Sequence, residues 1–153
     1  MIMAHKSSSV EQMRAEEEIF EHLSNSTGIS DLKSDPDLAL NGDDGTFIRP
    51  DIYSMSERII GEIHSHIGRL KPSQLHKVAA DLLKMLLYDK TSGVTHRKWI
   101  VVCSKEEEEQ LKGGSYLAEA IRQFDVEIIR VDISTETCQA LKDAQERQKM
   151  VNA

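Results

Sequence analysis

From Ser9 to Leu23 the apolar positions Val10, Met13, Ile19, Phe20 and Leu23 recur at the three- and four-residue spacing of one helical face. Ser9 suits the N-cap, and the polar stretch Met1–Ser9 before it reads as frayed chain. Residues 24–44 are rich in Ser, Asn, Asp and Gly and read as a long connection, with room for a short strand near Ile29–Leu32 or Leu38–Leu40. Thr46–Met55 is extended in pattern, and Ser56–Arg58 is short enough for a tight turn into the β-branched run that opens at Ile59, which predicts a hairpin. Pro72–Tyr88 predicts a strong helix, with Pro72 in its first turn. Leu75, Val78, Ala79, Leu82 and Leu86 line one face of it, and Gln74, Lys77, Asp81 and Lys84 the opposite one. Lys98–Ser104 is a near-continuous apolar run, the pattern of a strand covered on both sides. Ser104 with Glu107 three residues on reads as a capping box, and Gly113-Gly114 then breaks the helix. A helix over Ser115–Phe124, a strand over Val126–Ile133 and a polar terminal helix over Thr135–Met150 complete the chain. Strands alternating with helices predict the α/β class, a mixed central sheet flanked by helices.

The length of 153 residues fits one domain, 1–153, with residues 1–8 outside its ordered part. No apolar run approaches membrane-spanning length and the N-terminus does not read as a secretory signal, so a cytoplasmic protein with no membrane partner is expected. Cys103 and Cys138 make neither a disulfide framework nor a metal-type spacing and read as reduced, buried apolar residues. The net charge of −7 is unevenly spread: residues 1–62 carry −8, residues 63–105 carry +6 and residues 106–153 carry −5. A phosphate backbone would be met on the central block, although charge pattern alone fits a solvated basic helix face equally well.

That block opens on the stretch with the most chemistry. Along a strand from Ile59, period-two alternation sets Ile60, Glu62, His64 and His66 on one face, and Ile59, Gly61, Ile63 and Ser65 on the other. A carboxylate and two imidazoles in a row need a wet or ligand-binding face. The predicted hairpin puts Asp51 on the arm opposite Glu62. Hard divalent cations such as Mg²⁺ or Mn²⁺ are held by one or two carboxylates, water and substrate phosphates. A phosphodiesterase uses such a metal to neutralise phosphate and activate water, and His64 stands where a water-activating group is needed. In the first helix Glu16 falls inside the apolar stripe, either at a rim that reaches water or for a purpose.

With Pro50-Asp51 as the PD element and Glu62-Ile63-His64 where (D/E)-x-K is expected, the chain resembles the PD-(D/E)XK nuclease superfamily, with its restriction-endonuclease-like fold. The likeness runs from the first helix to about Val131. It implies a helix, a three-stranded meander, a helix and a further strand, and a Mg²⁺- or Mn²⁺-dependent endonuclease acting on DNA. Cutting both strands would favour a symmetric homodimer. It also implies that Asp51, Glu62 and Glu16 serve the metal, while His66, Gln74 and Lys77 face the substrate. His64 replaces the motif lysine, and Lys71 is a candidate to supply an amine from the turn. The substitution raises the alternative of an inactive nuclease fold kept for nucleic-acid binding or assembly. A second likeness is to JAMM-type zinc isopeptidases, through His64-Ser65-His66 and Pro72-Ser73, with His76 standing where their aspartate ligand is expected. His76 is otherwise read as a packed or rim residue, His5, His22 and His96 as surface, Trp99 as core, and Glu106–Glu109 as a solvated helix start.

Overall fold

The computed structural model describes residues 3–41 and 45–152, with side chains described from Val10 to Val151. The elements are α1 (Met3–Thr27), β1 (Leu38–Ala39), β2 (Phe47–Ile48), β3 (Ile52–Ser54), β4 (Ile59–His64), α2 (Pro72–Ser92), β5 (Arg97–Val102), α3 (Lys105–Leu111), α4 (Tyr116–Gln123), β6 (Val126–Arg130) and α5 (Thr135–Asn152). The central sheet runs β3-β4-β5-β6, with β3 antiparallel to β4 and with β4, β5 and β6 mutually parallel. Helices cover both faces, so the chain has a mixed sheet between helical layers.

Alternation along the strands builds two cores. Ile60, Ile100 and Val102 point to the layer of α2, α3 and α4, where they meet Val78, Leu82, Met85, Leu111 and Ile121. Ile59, Ile63, Trp99 and Val101 point to α1 and α5, where they meet Ala15, Ile19, Leu23 and Leu141. Ile19, Ile59, Ile60, Met85 and Ile100 are fully buried. Each is worth about 1.5–3 kcal/mol in removed apolar surface. Gly61 lets β4 and β5 pack closely: a Cβ there would stand 3.0 Å from Trp99 Cβ and 3.1 Å from its carbonyl oxygen.

Three expectations change. The helix α1 begins at Met3 rather than Ser9, because nothing from Met3 to Thr27 is Gly or Pro. Residues 1 and 2, and the side chain of His5, lie outside the described part. The helix α2 continues to Ser92 and ends at Gly93, whose φ of 73° and N–H to the Asp89 carbonyl make a left-handed cap. The three-stranded meander is reduced to two strands and a bridge: Lys33 exchanges two backbone hydrogen bonds with Tyr53, 2.8 and 2.9 Å long, on the outer edge of β3. Asp35, at φ 55°, and Pro36 then turn the chain away before a strand can form. The pair β1–β2 forms a separate two-stranded sheet.

Candidate active site

The register of β3 on β4 pairs Ile52 with Gly61, Tyr53 with Ile60 and Ser54 with Ile59. One step further along, Asp51 stands across from Glu62, and cross-strand neighbours project to the same face. The Ile63 N–H donates to Asp51 Oδ2 at 2.7 Å, which fixes the carboxylate. The Asp51 and Glu62 carboxyls hydrogen-bond each other, and Glu62 is only 4% exposed.

Two carboxyls in contact with little water cannot both ionise freely. Burial, followed by the charges of Asp51 and Asp81, pushes Glu62 up to about 9, so it carries a proton at neutral pH and donates it to Asp51. Burial also raises Asp51, against the lowering effect of the Ile63 N–H. Glu16 comes from α1 on the other side of the hairpin. Burial, Asp51 and Asp35 push it up to about 7, so it belongs to the same acidic cluster without touching Glu62.

Helix α2 supplies the counter-charges. His64 Nε2 lies 2.8 Å from Asp81 Oδ2, and Lys84 Nζ lies 3.1 Å from Asp81 Oδ1 and 3.8 Å from Glu62 Oε2. The His64 contact is close but not aligned along the ring N–H, so it is not a directed hydrogen bond. Burial would raise Asp81, but His64 and Lys84 outweigh it and hold its carboxylate below the usual range. Desolvation lowers Lys84, but Glu62, Asp81 and Asp51 together raise it and keep it charged. Neither Asp81 nor Lys84 is singled out by the short motif. Their signal is the polar face of α2, from which Asp81 and Lys84 reach β4.

A trough of about 170 Å³ opens beside these groups, lined by Glu16, His64, His66, Gln74, Lys77 and Asp81 among others. Gln74 Oε1 accepts from the Lys71 N–H at 2.8 Å, which orients the amide so that its nitrogen donates to His66 Nδ1 at 2.9 Å. His66 Nε2 therefore carries the ring proton, 3.2 Å from the Arg69 carbonyl. Burial holds His66 below the usual imidazole range, so the ring stays neutral. Gln74 and His66 thus brace the loop, Lys77 reaches the trough, and Lys71 is exposed at the start of α2 without lining it. The structure gives the amine nearest to Glu62 to Lys84 instead.

Among the described residues no three His, Cys, Asp or Glu side chains converge in metal-ligand geometry. The pair Asp51–Glu62 still fits a hard divalent cation, since two oxygen donors suffice where water and phosphate complete the shell. The proton shared between them stands where such a cation would neutralise them. His64 contacts Asp81 and His66 accepts from Gln74, and among the described residues no third ligand joins the two imidazoles.

Other positions depart from expectation. Glu107 is 0% exposed rather than part of a solvated helix start. Its Oε1 accepts from the Cys103 N–H and the Ser104 hydroxyl, each at 3.1 Å, while burial pushes its carboxyl up to about 8. His96 is buried, with Nδ1 2.8 Å from Asp89 Oδ1. His22 is exposed, as expected, and His76, read as packed or at the rim, is exposed. Trp99 is core, as expected. Cys103 is buried and Cys138 only half-buried, and both are free thiols. No helix among the described residues is long and apolar enough to cross a membrane. Comparison with known proteins finds no matching family, no similar curated protein and no similar solved structure.

Proposed function

We propose that the chain is a divalent-metal-dependent nuclease with a restriction-endonuclease-like fold, hydrolysing phosphodiester bonds in DNA. One observation carries the reading: strand register sets the half-buried Asp51 carboxyl across from the buried Glu62 carboxyl on one face of the hairpin. The order of elements supports it, with a helix, an antiparallel hairpin edged by a bridge, a crossover helix and a parallel strand. So does the placement of two basic residues, Lys77 lining the trough and Lys84 beside Glu62.

When bound, Mg²⁺ or Mn²⁺ would neutralise the scissile phosphate and lower the pKa of a water. Asp51 and Glu62 would hold it, giving up their shared proton. Glu16 adds negative charge from α1. His64 orients and deprotonates the attacking water, and Asp81 stabilises the imidazolium that results. Lys84 takes the place of the motif lysine, arriving from α2 rather than from β4. Lys77 meets the phosphate backbone.

A binding-only module is the second reading, favoured by the Lys84 contact to Glu62, which already offsets part of the carboxylate charge. Nicking of supercoiled plasmid separates the two. Cleavage in Mg²⁺ or Mn²⁺, abolished by EDTA and by Asp51→Asn, is the expected result. The asparagine keeps an oxygen for the Ile63 N–H, so loss of activity would not reflect loss of the hairpin. Salt-sensitive DNA binding without cleavage would refute the catalytic reading and leave the module.

A further inference from the structure

A second cleft is larger than the trough. It has a volume of about 500 Å³ and lies between the start of α2 and the turn joining α3 to α4. Its floor is Pro72, Leu75, Ala79 and Leu117, and Arg69, Tyr116, His76 and Glu109 also line it, the Glu109 carboxylate lying 3.7 Å from Lys105 Nζ. The volume is that of a small-molecule site. Tyr116 is 86% exposed at its edge, so its ring is open to solvent. No carboxylate pairs with the Arg69 guanidinium among the described residues. Arg122 Nη1 donates to the Gly113 carbonyl at 2.9 Å and to the Lys112 carbonyl at 3.3 Å, so the Gly113-Gly114 wall is anchored from behind. Gly114 has nothing within 4 Å of where a Cβ would stand, which leaves that wall open to a ligand.

An apolar floor, an exposed aromatic ring and an unpaired guanidinium suit a planar heterocycle attached to a phosphate. The position identifies its source. Leu70 lines the trough and Arg69 lines the cleft, so neighbouring residues, about 3.8 Å apart at Cα, border the two cavities. The first turns of α2 form the ridge between them: Gln74 and Lys77 face the trough, while Pro72 and Leu75 face the cleft. Gln110 clamps the ridge from α3, accepting from the Leu70 N–H at 2.7 Å and donating to its carbonyl at 3.1 Å.

Resting on the nuclease reading, we propose that this cleft receives an unstacked nucleotide of the substrate strand next to the scissile phosphate. Tyr116 stacks on the base and Arg69 pairs with the phosphate. The preferred substrate is therefore single-stranded DNA, or a single-stranded flap or gap, rather than continuous duplex, whose bases stay stacked.

The test uses the full chain with oligodeoxynucleotides carrying 2-aminopurine at successive positions, in Ca²⁺ to report binding and in Mg²⁺ or Mn²⁺ to report cleavage. Fluorescence should change at one position beside the cleaved bond, single strands should bind more tightly than duplex, and Tyr116→Ala should weaken binding about 5- to 150-fold, the worth of one base stacked on an aromatic ring. Arg69→Ala should weaken binding and flatten its salt dependence. Both side chains are exposed, so neither substitution threatens the fold. Binding and cleavage indifferent to both substitutions would overturn the cleft and leave the nuclease reading standing. Tyr116-dependent binding without cleavage in any metal would support the cleft and refute catalysis. No binding of any oligonucleotide would overturn both.

Discussion

Replacing Glu62 with glutamine should stabilise the metal-free protein and remove part of its pH dependence. In the unfolded chain Glu62 ionises near its ordinary value of 4.5, whereas in the fold burial and Asp51 hold its proton until about pH 9. Below pH 4.5 the group is protonated in both states and costs nothing. Between those values the folded state binds more protons than the unfolded one, so stability falls as pH rises. The slope is at most about 1.4 kcal/mol per pH unit, which accumulates to about 3 kcal/mol by pH 7. Glutamine keeps the shape and can still donate to Asp51, but it has no proton to retain. Guanidinium unfolding in EDTA at pH 5, 6, 7 and 8 measures the difference. Wild type should lose stability steadily across the series, and Glu62→Gln should lose less, with the gap widening at each step. Glu16 and Glu107 are raised in the same direction and remain in the variant, so a residual slope is expected. Equal slopes for the two proteins would refute the reasoning, because they would mean that the Lys84 ammonium keeps Glu62 ionised in the folded state.

Other outcomes follow from the same geometry. His64→Ala should lower the cleavage rate by about 10²–10⁴-fold, the usual worth of a general base, with Mn²⁺ binding measured by calorimetry largely retained. His64→Lys should keep measurable activity, since it restores the amine of the resembled motif. Gly61→Ala should destabilise by about 1–3 kcal/mol in chemical denaturation, because its methyl group would press on the Trp99 backbone in the centre of the sheet.

The hairpin that joins Asp51 to Glu62 is legible in the sequence because its signals are local. The turn at Ser56–Arg58 sets the register, and a period of two then assigns faces without reference to the rest of the chain. The polar face of α2 is only half legible. The wheel groups Gln74, Lys77, Asp81 and Lys84, but a face turned to solvent and a face turned to a charged strand have the same composition. Only tertiary packing shows that Asp81 meets His64 and Lys84 meets Glu62. The four glutamates of 106–109 fail for a related reason. A run of one residue type hides which member points inward, although the capping pattern from Ser104 marks Glu107 as the one tied to the backbone. His96 and Lys98 carry no local sign of burial, since their partner Asp89 lies beyond the end predicted for the helix.

The two ends of β4 and β5 handle buried charge in opposite ways, and the contrast bears on function. Where β5 begins, Asp89 accepts from the His96 N–H at 2.9 Å and contacts His96 Nδ1 at 2.8 Å, while Lys98 pairs with it. Lys98 also donates to the His96 carbonyl at 3.0 Å, and the rings of Tyr88 and His96 stand 5.0 Å apart. Burial would raise Asp89, but the hydrogen bonds from Lys98 and His96, with the charge of Lys98, outweigh it and hold it below the usual carboxylate range, as in a network built only for the fold. Where β4 ends, Asp51, Glu62 and Asp81 face one lysine and one histidine, with Glu16 close behind. Burial, reinforced by neighbouring carboxylates, raises Asp51, Glu62 and Glu16, and that end holds more carboxyls than the Lys84 ammonium can offset. A fold able to pair its charges at one end has no structural need for a surplus at the other. The surplus makes sense if a cation from solution completes it, and binding of such a cation should then recover stability in proportion to RT ln(1 + [L]/Kd).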